Sequence, residues 1–242
     1  MIELEIKNGQ EIIDVLFDDF ASCLIIKNPL SVNWPDCEGT VGEFYAISDY
    51  STEDRDFYTN RLNETLIYGN EIERINCVKD FLQLFTNGKY EIRKDNILVN
   101  HFNFKDGPRR QYSLHGKPQE RFFGWFYDDY RSFEPYFYSK TNSNLNNERI
   151  DFYVDLIKSG ERPCVLTCAL YDNSIEDSSR SFILDGHHKI EAYIKLKINI
   201  PIISILKYSN NLTKTEVLLD KVKPILKDYE FGHLSSNDFG NL

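Results

Sequence analysis

Apolar and polar residues alternate through Ile2-Glu3-Leu4-Glu5-Ile6, the two-residue period of a half-buried strand. From Gln10 to Phe20 the period lengthens, with Ile12, Val15, Leu16 and Phe20 at helical spacing, which predicts a helix. Glu71–Phe85 repeats that spacing through Ile75, Val78, Phe81, Leu82 and Phe85, and Asn87-Gly88 is chemistry that ends a helix. Turns are expected at Lys105-Asp-Gly-Pro and His115-Gly-Lys-Pro, where Gly and Pro supply the needed backbone angles.

The pattern is sharper after residue 146. Ile150, Tyr153, Val154 and Ile157 stand at i, i+3, i+4 and i+7, which predicts an amphipathic helix over Asn147–Lys158 that stops at Gly160. Two strands are expected next, Cys164–Leu170 and Arg180–Leu184, joined by the polar loop Tyr171–Ser179. The second runs into Asp185-Gly186-His187-His188-Lys189 and a helix with Ile190, Tyr193, Ile194 and Ile198 on one face. A third strand is expected over Pro201–Leu206. A capping box, Thr213-x-x-Glu216, precedes a last helix carrying Val217, Leu218, Val222 and Leu226.

Two stretches divide the chain. Residues 121–138 crowd together Phe122, Phe123, Trp125, Phe126, Tyr127 and further aromatics. Such rings could stack nucleobases, but Asp128 and Asp129 in their midst favour a core-forming segment with tyrosines at its edges. The polar run Lys140-Thr-Asn-Ser-Asn-Leu-Asn-Asn is turn-prone and reads as a boundary. The expected organisation is an α+β region over 1–140, a second unit over 141–210, and a helix with a polar tail over 211–242.

With 242 residues the chain can bury a sizeable core. Lys+Arg number 28 against 38 Asp+Glu, a net charge of −10, which disfavours duplex DNA as a partner because DNA affinity rests on cations at phosphates. Residues 145–207 carry nine acidic and eight basic side chains, so nearly all of the acidic excess lies elsewhere. Five cysteines (Cys23, Cys37, Cys77, Cys164 and Cys168) show no zinc-type spacing and read as buried free thiols. With no signal sequence and no apolar run long enough to span a bilayer, they predict a cytoplasmic protein with no membrane partner.

The chemistry is concentrated at Asp185–Lys189. A helix N-terminus presents backbone N–H groups and partial positive charge, a natural anion site, and Gly186 admits a phosphate where a Cβ would stand. Lys189 adds a full charge; His187 and His188 can donate hydrogen bonds or move protons near neutral pH. Asp185 could hold a magnesium ion, accept a proton, or merely cap the helix. Adjacent histidines diverge by roughly 100° on a helix, so His187 and His188 do not chelate one metal.

From about Glu148 to Lys207 the chain resembles the ParB/sulfiredoxin-like family, in the branch whose signature reads Asp-Gly-His-His-Arg/Lys. The matching residues are Asp185-Gly-His-His-Lys189, Glu191-Ala192-Tyr193, the strand Ile200-Pro-Ile-Ile-Ser, and the upstream helix with Gly160-Glu-Arg-Pro163. The resemblance implies a small mixed sheet with helices and a phosphate or nucleotide site on the signature loop. Relatives bind or hydrolyse nucleotides, phosphorylate free serine, repair oxidised peroxiredoxin, or act as nucleases. It assigns phosphate contacts to Gly186, His187, His188 and Lys189, catalytic duty to Asp185, His187 and His188, and a metal to Asp185.

The departures narrow this. Sulfiredoxins carry a cysteine where His187 stands, which removes sulfur repair. Partitioning proteins carry Gly-Glu-Arg-Arg, absent here, and no helix-turn-helix follows residue 207. The expected function is phosphoryl transfer or nucleotide hydrolysis with Mg2+ and ATP or CTP. The competing expectations are a non-catalytic, immunity-like module recognising a protein partner and, third, a nuclease.

Overall fold

The computed structural model describes residues 1–17, 22–26, 28–34, 43–46, 55–97, 125–126, 136–138, 146–172, 181–209 and 215–223. These form an α+β fold with two sheets. The strands are β1 (Ile2–Ile6), β2 (Ile13–Phe17), β3 (Ser22–Ile26), β4 (Asn28–Trp34), β5 (Glu43–Ala46), β6 (Gly88–Ile97), β7 (Trp125–Phe126), β8 (Tyr136–Tyr138), β9 (Val165–Asp172), β10 (Ser181–Asp185) and β11 (Ile200–Ser209). The helices are α1 (Arg55–Tyr68), α2 (Glu71–Phe81), α3 (Asn147–Lys158), α4 (His187–Leu196) and α5 (Thr215–Val222), with a 3-10 turn over Leu82–Leu84.

The larger sheet is mixed, in the order β1-β6-β11-β9-β10-β8-β7; β2 to β5 form a four-stranded antiparallel meander. In the larger sheet β11 runs parallel to β9 and antiparallel to β6, while β9 and β10 are antiparallel. The sheet therefore draws strands from both sides of residue 141, and Ile92 of β6 faces Ile205 of β11 across the ladder. Because successive strand residues point to opposite faces, the burial of both Ile202 and Ile203, and of both Ile205 and Leu206, shows that β11 is covered on both sides. Each such side chain removed from water stabilises by about 1.5–3 kcal/mol.

Local signals explain the starts of α2 and α3. Asn70 caps α2, its Oδ1 accepting from the Ile72 and Glu73 amides while Glu73 accepts from the Asn70 amide, a complete capping box. Asn146 caps α3 through the Glu148 and Arg149 amides, and Ile150, Tyr153 and Ile157 turn inward, as the spacing predicts.

Three expectations differ from what is observed. Residues 13–17 are a strand, not part of a helix. Ile13, Asp14, Val15 and Leu16 are all buried, and burial without a break suits a strand covered on both faces rather than an amphipathic helix. The helix from Glu71 ends at Phe81, tightening into the 3-10 turn, and Asn87-Gly88 leads into β6 instead. Ile198 lies beyond α4, whose last residue is Leu196. The side chains of residues 121–138, the turns near 105 and 115, Thr213 and the tail lie outside the described residues. Cys77, Cys164 and Cys168 are buried free thiols, and no described helix is long and apolar enough to cross a membrane.

Candidate functional site

Strand β10 delivers Asp185 to the turn, Gly186 reverses the chain, and α4 begins at His187. Gly186 has φ 114°, the left-handed region that glycine tolerates. A Cβ added there would lie 2.9 Å from Val165 Cγ2 and 3.2 Å from Val165 Cα. Protein therefore fills the space the glycine leaves, and its first duty is to let the turn lie against β9. No side chain caps α4, so Asp185 is not its N-cap.

Asp185 instead meets Lys189, one helical turn on. The ammonium is 2.5 Å from Asp185 Oδ2, donates to the Cys164 carbonyl at 3.1 Å, and lies 5.9 Å from the Tyr153 ring centroid. Only 1% of the Lys189 side chain is exposed, against 28% for Asp185. An ammonium in that setting is tolerable only with its carboxylate beside it. Lys189 is thus an internal counter-ion facing the core, rather than an outward phosphate contact.

The two histidines separate, as adjacent helical positions must. His187 is buried. His188 is partly exposed, and its Nε2 accepts a hydrogen bond from the Asn146 amide at 3.1 Å, which places any proton of the neutral ring on Nδ1. That bond fastens the start of α4 to the cap of α3. A second link, Lys195 Nζ to Asp151 Oδ1 at 3.0 Å, lies further along both helices, so they run the same way with their positive ends together.

Arg149, Tyr153 and Asn63 also stand at this corner, outside the Asp185–Lys189 signature. Arg149 is exposed in the first turn of α3 and stacks over Phe152 and Tyr153, 5.0 and 5.1 Å from their ring centroids. Its guanidinium donates to Tyr153 Oη at 3.3 Å, and that hydroxyl donates to Asn63 Oδ1 at 3.3 Å. Burial, then the charge of Asp185, raises the Tyr153 phenol above its ordinary range, so it remains a neutral donor. A cation in the first turn of a helix opposes the helix dipole, and that misfit was the readable signal at Arg149.

The residues present do not suit a magnesium ion held by the protein. An ammonium already occupies Oδ2 of Asp185, and no cluster of three His, Cys, Asp or Glu stands together among the described residues. Towards solvent stand the exposed Arg149, whose guanidinium can attract an oxyanion, and the partly exposed His188, which can exchange a proton. Compared with known proteins, the chain matches no family model, no curated protein and no solved structure.

Proposed function

We propose that the protein binds a phosphate-bearing small molecule, a nucleotide in the ParB/sulfiredoxin-like manner, at the joined N-terminal ends of α3 and α4, and transfers or hydrolyses its phosphoryl group. The hydrogen bond from the Asn146 amide to His188 Nε2 carries this reading, because it brings two helix dipoles to one point beside the exposed Arg149. Arg149 holds the phosphate, and His188 orients it and moves the proton. The Asp185–Lys189 pair keeps the turn in shape, and Gly186 and His187 support it from within. Positioning and electrostatic stabilisation supply most of the rate in such chemistry.

A second reading draws on the same turn. With Asp185 neutralised by Lys189 and His187 buried, the motif is also what a non-catalytic module would retain for packing, its acidic surface recognising a basic protein. Thermal unfolding with ATP, CTP and GTP, each with and without magnesium, separates the two. A nucleotide at a hundred times its dissociation constant should add about 2.7 kcal/mol of stability, and Arg149→Ala should remove most of that gain. No response to any nucleotide would leave the binding module as the better account.

A further inference from the structure

On the other side of Cys164 lies a cavity of about 820 Å³, within the range of small-molecule sites. Its wall brings together Arg74 from α2, Lys94 from β6 and Arg162 from the segment before β9, with Glu71 and Asp95 as the acidic lining. The wall therefore has more cations than anions in a chain of net charge −10. Lys94 pairs with Glu71 at 2.6 Å, but among the described residues neither arginine meets a carboxylate. Arg162 Nη1 donates to the carbonyls of Ile157 and Glu161, and Arg74 Nη2 to that of Ile67 at 3.0 Å.

Arg74 Nε is shielded from water and has no acceptor among the described residues. Such donors are rare in folded proteins, because an unmade hydrogen bond at a buried group is costly. The rest of the wall mixes the polar Asn70, Asn96 and Asn199 with an apolar patch at the partly exposed Ile198 and Pro201. The Cys164 thiol in the lining is pushed up to about 11 by burial, and it donates to the Pro201 carbonyl at 3.4 Å, so it adds no negative charge.

We propose that this cavity is a binding site for a small organic anion, its carboxylate or phosphate held by Arg74 and Arg162 and its apolar body lying against Ile198 and Pro201. A guanidinium recognises either oxyanion through paired N–H donors, and neither Arg74 nor Arg162 is engaged by a carboxylate among the described residues. The cavity volume and the apolar patch at Ile198 and Pro201 favour an organic anion over a bare ion. Charge selects the head group and the wall selects the body.

Calorimetric titration of the full chain with benzoate, phenyl phosphate, inorganic phosphate and phenol tests this. Benzoate or phenyl phosphate should bind, inorganic phosphate should bind about tenfold more weakly or not at all, and phenol should not bind. Which of the first two binds more tightly assigns the head group. Arg74→Met and Arg162→Ala should each weaken binding about tenfold, and Arg162→Ala serves alone if Arg74→Met fails to fold. Arg149→Ala, at the other site, should leave this binding unchanged, so either site can fail without the other. No heat with either anion, equal binding of phenol, or binding untouched by Arg162→Ala would overturn the proposal. So would loss of binding in Arg149→Ala.

Discussion

At the Cys164 carbonyl a buried charge is paired and turned inward; in the cavity that Cys164 also lines, two arginines meet no carboxylate among the described residues. Lys189 reaches the Cys164 carbonyl with its ammonium against Asp185, while Cys164 also lines the cavity of Arg74, Lys94 and Arg162. The motif residues thus spend much of their chemistry holding the turn together, whereas Arg74 and Arg162, which form no motif, line a cavity with no carboxylate partner among the described residues. A buried charge is tolerated only when paired, and a paired charge is poorly placed to recognise anything else. Proximity to a signature is therefore a weaker guide to ligand contact than what each polar atom already touches.

This contrast can be broken by substitution. The largest effect is expected from Asp185→Ala, which strands the Lys189 ammonium in the core and should cost about 3–5 kcal/mol in urea unfolding. If that variant unfolds as the parent does, Lys189 is not held as described. Gly186→Ala comes next. Its Cβ would press on Val165 at a φ of 114°, and about 1–3 kcal/mol should be lost. An unchanged midpoint would show that the turn has room to relax.

Asp14 provides a third test, far from both flanks of Cys164. Burial alone would raise its carboxyl, but Lys207 at 2.6 Å and Lys221 at 3.0 Å hold it below its ordinary value. A carboxyl lowered in the folded state contributes stability that is complete above its unfolded value and is lost as pH falls through the folded one. Stability should therefore decline in acid, with a slope from this one proton of at most about 1.4 kcal/mol per pH unit. Asp14→Asn should flatten that decline; equal slopes in the two proteins would remove Asp14 from the account.

His188→Ala should cost about 1 kcal/mol by releasing the Asn146 amide, and should loosen the start of α3, read as faster amide exchange at Glu148 and Arg149. Smallest is Arg162→Ala, expected within about 0.5 kcal/mol of the parent because the side chain is exposed. A large destabilisation there would mean that the cationic wall serves the fold rather than a ligand.

Much of the local structure was legible. The α3 helix occupies the predicted Asn147–Lys158, β1 the predicted Ile2–Ile6, and the strand-turn-helix around Asp185 falls within a residue or two of its expected place. Each rests on a period or a cap that operates over a few neighbouring residues. The helical reading of Gln10–Phe20 failed because two-sided burial and pairing with β3 outweighed spacing, and neither leaves a local mark. At the candidate site the motif was visible, but its orientation was not. Spacing put Asp185 and Lys189 one turn apart without telling whether the pair faces water or Cys164.

The sequence alone determined where the chain turns, which segments favour helix or strand, and that one strand runs into an aspartate and a glycine before two histidines. Tertiary structure decided that β6 joins β11 and β9 in one sheet, that Lys189 is internal, that His188 meets the Asn146 amide at the start of α3, and that Arg74, Lys94 and Arg162 share a wall. Propensity and periodicity act through atoms a few residues apart. The partner a charged group finds depends on which distant surface is packed against it, and that is settled only when burial forces each polar atom to be satisfied or left facing a cavity.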